Sequence, residues 1–212
     1  MTTRVLIIDD HPLLRRGVMQ LLELENDLEP VGEASDGSEG LQLAQELDPD
    51  LILLDLNMEG MTGVETLRAL RDQGSEACVV VLTVSDSDED ITNSLRAGAN
   101  GYLLKDMEPE ALVAQLQRAA QGEVVISDTL TSSLARALTR DRPTSESNLD
   151  TLTAREREIL RHLARGESNK TIARNLGITE GTTKVHVKNL LKKMNFRSRV
   201  EAAVWAVEKG FR

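Results

Sequence analysis

Short apolar runs alternate with amphipathic stretches along the first 126 residues. Val5-Leu6-Ile7-Ile8 reads as a buried strand, and Leu13 to Leu24 follows with Leu14, Val18, Leu21 and Leu22 at helical spacing. A second strand is predicted from Leu28 to Glu33. Ser38 to Leu47 reads as a helix with Leu41, Ala44 and Leu47 on one face, and Pro49 lies just beyond its end. Leu51-Ile52-Leu53-Leu54 is apolar without alternation, as in a strand covered on both faces of a parallel sheet. A helix from about Gly63 to Asp72, a strand over 77–82, a helix over 88–97, a strand over 100–104 and a helix over 108–121 complete the series. Five successive βα units predict an α/β doubly wound five-stranded parallel sheet of order 2-1-3-4-5. In such sheets ligands bind beyond the carboxyl ends of the strands.

The pattern changes after residue 126. Residues 128–139 read as weakly helical, and residues 140–150 are polar with almost nothing to bury, so 127–150 is predicted to link two domains, 1–126 and 151–212. The last 62 residues hold four helical patterns and no strand. Thr153-Ala154-Arg155-Glu156 matches a capping box and starts a helix that Gly166 stops. A short helix over 169–176, a turn at Gly177, a third helix over 180–194 and a fourth over 198–209 make a small all-α four-helix domain of helix-turn-helix form.

Charge separates the same two regions. Residues 1–126 carry 8 basic and 25 acidic side chains, net −17, whereas residues 151–212 carry 14 and 6, net +8. The overall −10 hides a basic domain suited to nucleic acid. Aromatics at 2% put the packing onto aliphatic side chains, which disfavours a β-sandwich. Cys78 is the only cysteine, so no intrachain disulfide or cysteine-built zinc site forms, and it reads as a buried strand residue. No apolar run approaches the roughly 20 residues that cross a bilayer. Met1 to Arg4 leads straight into a strand without a signal-peptide core, so a soluble cytoplasmic protein without membrane partners is expected.

Chemistry gathers at the strand ends. Asp9 and Asp10 follow the first strand and Asp55 the third, and these two strands are neighbours in the predicted order. Three converging carboxylates repel one another unless their pKa values rise or a cation neutralises them; Mg²⁺, a hard ion with oxygen ligands, suits them. Thr83 follows the fourth strand with a hydroxyl and Lys105 the fifth with a cation. A carboxylate nucleophile, a metal, a hydroxyl and a lysine make a phosphoryl-transfer site. Singly, each is explained by a turn, a cap or a solvated surface, and His11 reads as a loop or cap residue.

In the third C-terminal helix Lys184, Lys188 and Lys192 stand at i, i+4 and i+8 on one face, with Val187, Leu190, Leu191 and Met194 mostly opposite. A lysine-rich helix after a glycine turn suits the major groove of double-stranded DNA. Lys184 and Lys188 are the leading base-contact candidates and Val185 an apolar contact; Thr182, Thr183, His186 and Lys192 are weaker ones. A solvated charged face is the plainer reading, and the +8 charge weighs against it.

Val5 to Pro12, Leu53 to Met58, Leu82-Thr83 and Gly101 to Lys105 resemble the receiver domain of two-component response regulators. Leu152 to Glu158, Asn169 to Arg174 and Thr182 to Val187 resemble the LuxR-type output domain. Together they resemble the NarL/FixJ subfamily along essentially the whole chain. Leu103 to Pro109, Leu191 to Met194 and Ser198 to Trp205 resemble its nitrate- and nitrite-responsive members. The resemblance implies that Asp55 takes a phosphoryl group from a sensor histidine kinase. It implies Mg²⁺ held by Asp10, Asp55 and the main-chain carbonyl of Asn57, with Asp9 acting through water. Thr83 and Tyr102 would be the switch pair, and the phosphorylated output domains would form a homodimer through Val200, Val204 and Val207 on promoter DNA. Two positions depart from the pattern: Asp106 stands where many receivers have proline after the lysine, and Glu59 where many relatives have proline.

Two other functions share parts of this pattern. An Asp-nucleophile phosphatase commonly places a second Asp two residues on as general acid, but that position is Asn57. A ligand-gated transcription factor binding FMN or a nucleotide needs a phosphate-cradling loop after the first strand. Asp9-Asp10-His11-Pro12 has no glycine and two like charges there. The chain therefore reads as a phosphorylation-controlled transcription regulator rather than an enzyme.

Overall fold

The computed structural model describes residues 2–127 and 149–211. The readings made for residues 128–148, weak helix and then linker, lie outside the described residues. The first part is a parallel sheet of β1 (Thr3–Ile8), β2 (Leu28–Ala34), β3 (Leu51–Leu54), β4 (Cys78–Thr83), β5 (Gly101–Leu104) and β6 (Val125–Ile126), in the order β2-β1-β3-β4-β5-β6. Its helices are α1 (Pro12–Glu23), α2 (Gly37–Leu47), α3 (Gly63–Asp72), α4 (Asp88–Ala97) and α5 (Pro109–Ala120).

Side-chain alternation divides the sheet between two apolar layers. Leu6, Ile8, Ile52, Leu54, Val79 and Val81 face α2, α3 and α4, meeting Ala44, Leu67, Leu70, Ile91 and Leu95. Val5, Ile7, Leu51, Leu53, Val80 and Leu82 face α1 and α5, meeting Val18, Leu22, Leu112 and Leu116. All four residues of β3 are buried, as its unbroken apolar run predicts. The sixth strand departs from the five-stranded expectation. It is too short to show a period, and it reaches β5 because Gly101 has no side chain: a Cβ there would lie 2.4 Å from Val125 Cγ2. The Lys105–Asp106 peptide is trans.

Gly63 is a second place where only hydrogen fits. A Cβ at this first residue of α3 would lie 2.1 Å from the Asp55 carbonyl oxygen. The Gly63 N–H donates to the Leu56 carbonyl at 3.0 Å, so α3 is seated directly on the segment that follows β3. Its entry is fixed by a capping box between Thr62 and Glu65.

The second part consists of α6 (Ala154–Ala164), α7 (Asn169–Leu176), α8 (Glu180–Met194) and α9 (Arg199–Glu208), preceded by a 3₁₀ turn at Leu149–Thr151. Leu152, Ile159, Leu160, Leu163, Ile172, Val187, Leu190, Met194, Ala202, Trp205 and Ala206 form its core. Gly177, with φ 65°, makes the turn between α7 and α8. The capping box predicted at Thr153–Glu156 is present. The Glu156 carboxylate also accepts a hydrogen bond from Lys193 Nζ at 2.7 Å, tying α6 to α8.

Two outcomes follow. Replacing Gly63 with Ala should destabilise the α/β unit by about 2–3 kcal/mol, because the new methyl group meets main chain that cannot move aside; urea unfolding followed by circular dichroism measures it. Burial alone would raise the Glu156 pKa, but the bonds from Lys193 and Thr153 outweigh it and hold the carboxyl below its ordinary value. Its stabilisation is therefore complete above about pH 4.3 and is lost as pH falls through the lower folded value. Trp205, the single tryptophan, lies in the same core, so its fluorescence should show Glu156→Gln costing about 2 kcal/mol at pH 7 and less in acid.

Candidate functional site

Register builds the site. Ile8 pairs with Leu54, so the residues that follow, Asp9 and Asp55, leave the sheet side by side, and the Asp55 N–H donates to the Ile8 carbonyl at 2.9 Å. Thr83 pairs with Leu104, and the Lys105 N–H donates to the Thr83 carbonyl at 2.9 Å. Four strand ends thus deliver Asp9, Asp10, Asp55, Thr83 and Lys105 to one place, as the sequence predicts.

Asp9 and Asp55 are almost fully buried. Lys105 Nζ lies 2.7 Å from Asp55 Oδ2 and 2.8 Å from Asp9 Oδ2. Burial works against the Lys105 charge, but hydrogen bonds to Asp55 and Asp9 and their negative charge outweigh it, so its pKa is raised. Asp9 Oδ1 accepts from the His11 N–H at 2.8 Å. Both Asp9 oxygens are thus engaged, whereas Asp10 Oδ1 and Asp55 Oδ1 are buried with no hydrogen-bond partner. His11 Nδ1 does lie 2.7 Å from Asp10 Oδ1, an electrostatic approach without hydrogen-bond alignment. Ligand atoms of Asp9, Asp10, His11 and Asp55 all fall within 4.8 Å of one another, a donor set that suits a cation. His11 starts α1 without a side-chain cap, and its place in the cluster was missed; its position next to Asp9-Asp10 was the available signal.

The hydroxyl of Thr83 is fully buried and accepts from Asn57 Nδ2 at 3.3 Å and the Ser85 N–H at 3.2 Å. Tyr102 is buried too, and its hydroxyl donates to the Ser85 carbonyl at 2.9 Å. Burial, with the charges of Asp90, Asp86 and Asp55, raises its pKa against the effect of that bond. Cys78, partly rather than fully buried in β4, has its thiol pushed up to about 11 by burial.

On α8, Thr182, Lys184, Val185, Lys188 and Lys192 are exposed. Thr183 is not: it is fully buried on the inner stripe with Val187, Leu190 and Met194, and its hydroxyl donates to the Thr179 carbonyl. The sequence-based assignment of Thr183 to the DNA surface is therefore corrected. His186 is half-buried. Lys193 is engaged with Glu156.

The basic helical unit lies against the acidic α/β unit. Lys188 of α8 forms an ion pair with Glu76, and Arg197 Nη2 lies 3.9 Å from Asp72 Oδ1. Val200 is 2% exposed and joins the apolar cluster of Leu70, Ala97 and Tyr102, with Val204 packed against the same cluster. Val207, the third apolar residue assigned to a dimer face, remains exposed. Arg199 is buried, donating to Asn169 Oδ1 at 3.1 Å and the Glu167 carbonyl at 2.7 Å, and burial lowers its pKa to about 10. A Cβ at Gly122, after α5, would come within 2.8 Å of Arg199 Nη1. The acidic composition of the first region hinted at this contact, but no motif marks Asp72, Glu76 or Gly122.

Known proteins share both units. A family described as response regulator receiver domain matches residues 5–117, and one described as bacterial regulatory proteins, luxR family, matches residues 150–206. The nitrate/nitrite response regulator protein NarL of Escherichia coli K12 is 56% identical over 95% of this chain and 93% of its own. The nitrate/nitrite response regulator protein homolog of Haemophilus influenzae is 50% identical over 97% of each chain. The crystal structure of ChrA, a response regulator in a heme-sensing two-component system, matches with a TM-score of 0.53 and 33% identity, covering 100% of this chain and 99% of that one. The chain belongs to the NarL/FixJ-type response regulators, proteins that join a receiver domain to a LuxR-family DNA-binding domain and regulate transcription in two-component signalling.

Proposed function

We propose that Asp55 takes a phosphoryl group from a sensor histidine kinase, and that this frees the output domain, within residues 151–212, from the receiver, within residues 1–126. The carrying observation is that the receiver touches the output domain at two of the residues proposed to work there: Lys188 is paired with Glu76 and Val200 is buried against the receiver. A regulator whose DNA-reading helix is engaged by its own acidic domain is held back until that contact is weakened.

Mg²⁺ is the proposed cofactor. The unpartnered oxygens of Asp10 and Asp55 fit a hard cation, the main-chain carbonyl of Asn57 would add a third ligand, and the engaged oxygens of Asp9 suit a contact through water. When bound, the ion supplies positive charge that lets an anionic phosphoryl group approach an anionic acceptor. On transfer, an Asp55 oxygen forms the new bond to phosphorus as the phosphohistidine P–N bond breaks. Lys105, now bonded to Asp55 Oδ2, passes that hydrogen bond to a phosphoryl oxygen. Thr83 offers its hydroxyl to another, and Tyr102 responds to the space Thr83 leaves. Asn57 cannot act as the general acid that ester turnover requires, which favours a regulator over a phosphatase.

In the released form Lys184, Val185, Lys188, Lys192 and Thr182 face the major groove of promoter DNA, and output domains pair through Val200, Val204 and Val207. The relatives named for nitrate and nitrite support those ions as the upstream signal. Among the described residues no helix is long and apolar enough to cross a membrane, in keeping with work on DNA in the cytoplasm.

With Mg²⁺ and a small phosphodonor, intact-mass measurement should find one added phosphoryl group on the wild type and none on Asp55→Asn, with DNA affinity rising only for the wild type. Equal affinities in the two treated proteins would sink the switch. Replacing Glu76 with Lys sets two cations against each other and should raise DNA binding without phosphodonor about fivefold or more. Lys184→Ala should weaken binding across sequences and reduce the salt slope by about 1 if the side chain meets a phosphate. Filter binding across a salt series measures both.

A further inference from the structure

α4 begins differently from α3 and α6. In those two helices the acid three residues past the cap folds back onto the cap itself, Glu65 onto Thr62 and Glu156 onto Thr153. At α4 the cap is Ser87, whose hydroxyl accepts from the Asp90 N–H at 3.1 Å. Asp90 holds the position of the returning acid, yet its carboxylate passes Ser87 and accepts from the Ser85 hydroxyl at 2.5 Å. The Ser87 N–H in turn donates to Ser85 Oγ at 3.4 Å. The capping box is enlarged by one side chain, and that side chain is Ser85.

Ser85 is also the residue on which both switch groups meet. Its N–H donates to Thr83 Oγ1 and its carbonyl accepts from the Tyr102 hydroxyl. Its main chain thus reads the switch pair while its side chain holds the start of α4. The other end of α4 lies under the output domain. A Cβ at Gly98, its C-cap, would lie 3.2 Å from the Arg197 carbonyl oxygen, and Ile91, Leu95 and Ala97 share an apolar cluster with Val200. Ten helical residues span about 15 Å, so α4 is a short rigid element with the switch loop at one end and the output domain at the other.

We infer that Asp90 is a positioning residue that fastens α4 to the phosphoryl-sensing loop. Movement of Thr83 toward a phosphorylated Asp55 pulls on the Ser85 N–H, and the Ser85–Asp90 hydrogen bond carries that movement into α4 and on to Arg197 and Val200. The inference rests on the proposed role of Asp55 and Thr83. Capping alone does not require this arrangement, because Asp88 and Glu89 already supply negative charge to the first turn.

The test uses the full chain with Mg²⁺ and a small phosphodonor, measuring phosphoryl occupancy by intact mass and DNA affinity with and without the donor. Asp90→Ala and Ser85→Ala should reach wild-type occupancy while the donor-dependent gain in DNA affinity falls about fivefold or more, the scale of an ordinary coupling energy. Asp90→Asn keeps an acceptor oxygen for Ser85 and should retain the gain. Full stimulation in both alanine variants overturns the inference, as does an asparagine variant as deficient as Asp90→Ala. Lowered occupancy in Asp90→Ala would assign the residue to the acceptor chemistry and overturn its coupling role. A wild type that gains no mass overturns the Asp55 reading, and the inference with it.

Discussion

Lys105 Nζ stands between Asp55 and Asp9, 2.7 and 2.8 Å away, and the receiver is built around the charge that this pairing leaves unbalanced. One lysine pairs with two carboxylates that are almost wholly out of water, and Asp10 adds a third beside them. Removing a partner from a buried ion pair costs about 3–5 kcal/mol, so the strand ends cannot drift apart cheaply. The parallel pairing of β1, β3, β4 and β5 brings these groups together, and the close seat of α3 on the Asp55 carbonyl keeps the acceptor segment in place. The oxygens left without hydrogen-bond partners, on Asp10 and Asp55, are the footing that the proposed cation and phosphoryl group would use. A centre short of positive charge attracts a cation, and the cation would then admit the anionic phosphoryl group.

The sequence carries much of this arrangement because it depends on local signals. Strand ends follow from apolar runs, and their order follows from the βα alternation, so Asp9, Asp10, Asp55, Thr83 and Lys105 could be gathered before any geometry was known. The Thr153–Glu156 box needs only four residues of context. Features depending on tertiary approach were not legible. β6 is two residues long and exists because Gly101 leaves room for Val125. Thr183 is a different case: it stands four residues before Val187, so the helical period already places it on the inner stripe, a signal its polar neighbours masked. His11 carries no cue for its ring direction, which decides whether it joins the carboxylates or caps a helix.

The charge asymmetry between the halves foretold that they would attract but not where they meet. Attraction between exposed side chains such as Lys188 and Glu76 is modest and screened by salt. The meeting place is fixed by shape and burial: Val200 in the apolar cluster, Arg199 against Gly122, and the Arg197 carbonyl over Gly98. Arg199 is held by a carbonyl and an amide of its own helical unit, Glu167 and Asn169, so these bonds do not cross the contact.

The covering of Val200 and Val204 has a consequence for how the regulator answers to its own abundance. If output domains pair through that face as proposed, a second copy must displace the receiver already seated there, and a tethered competitor keeps the same local concentration however many copies the cell makes. Raising expression therefore increases the number of closed molecules before it increases the number of pairs. On that proposal the closed state is insulated from fluctuations in copy number, and phosphorylation of Asp55 sets the threshold at which pairing begins.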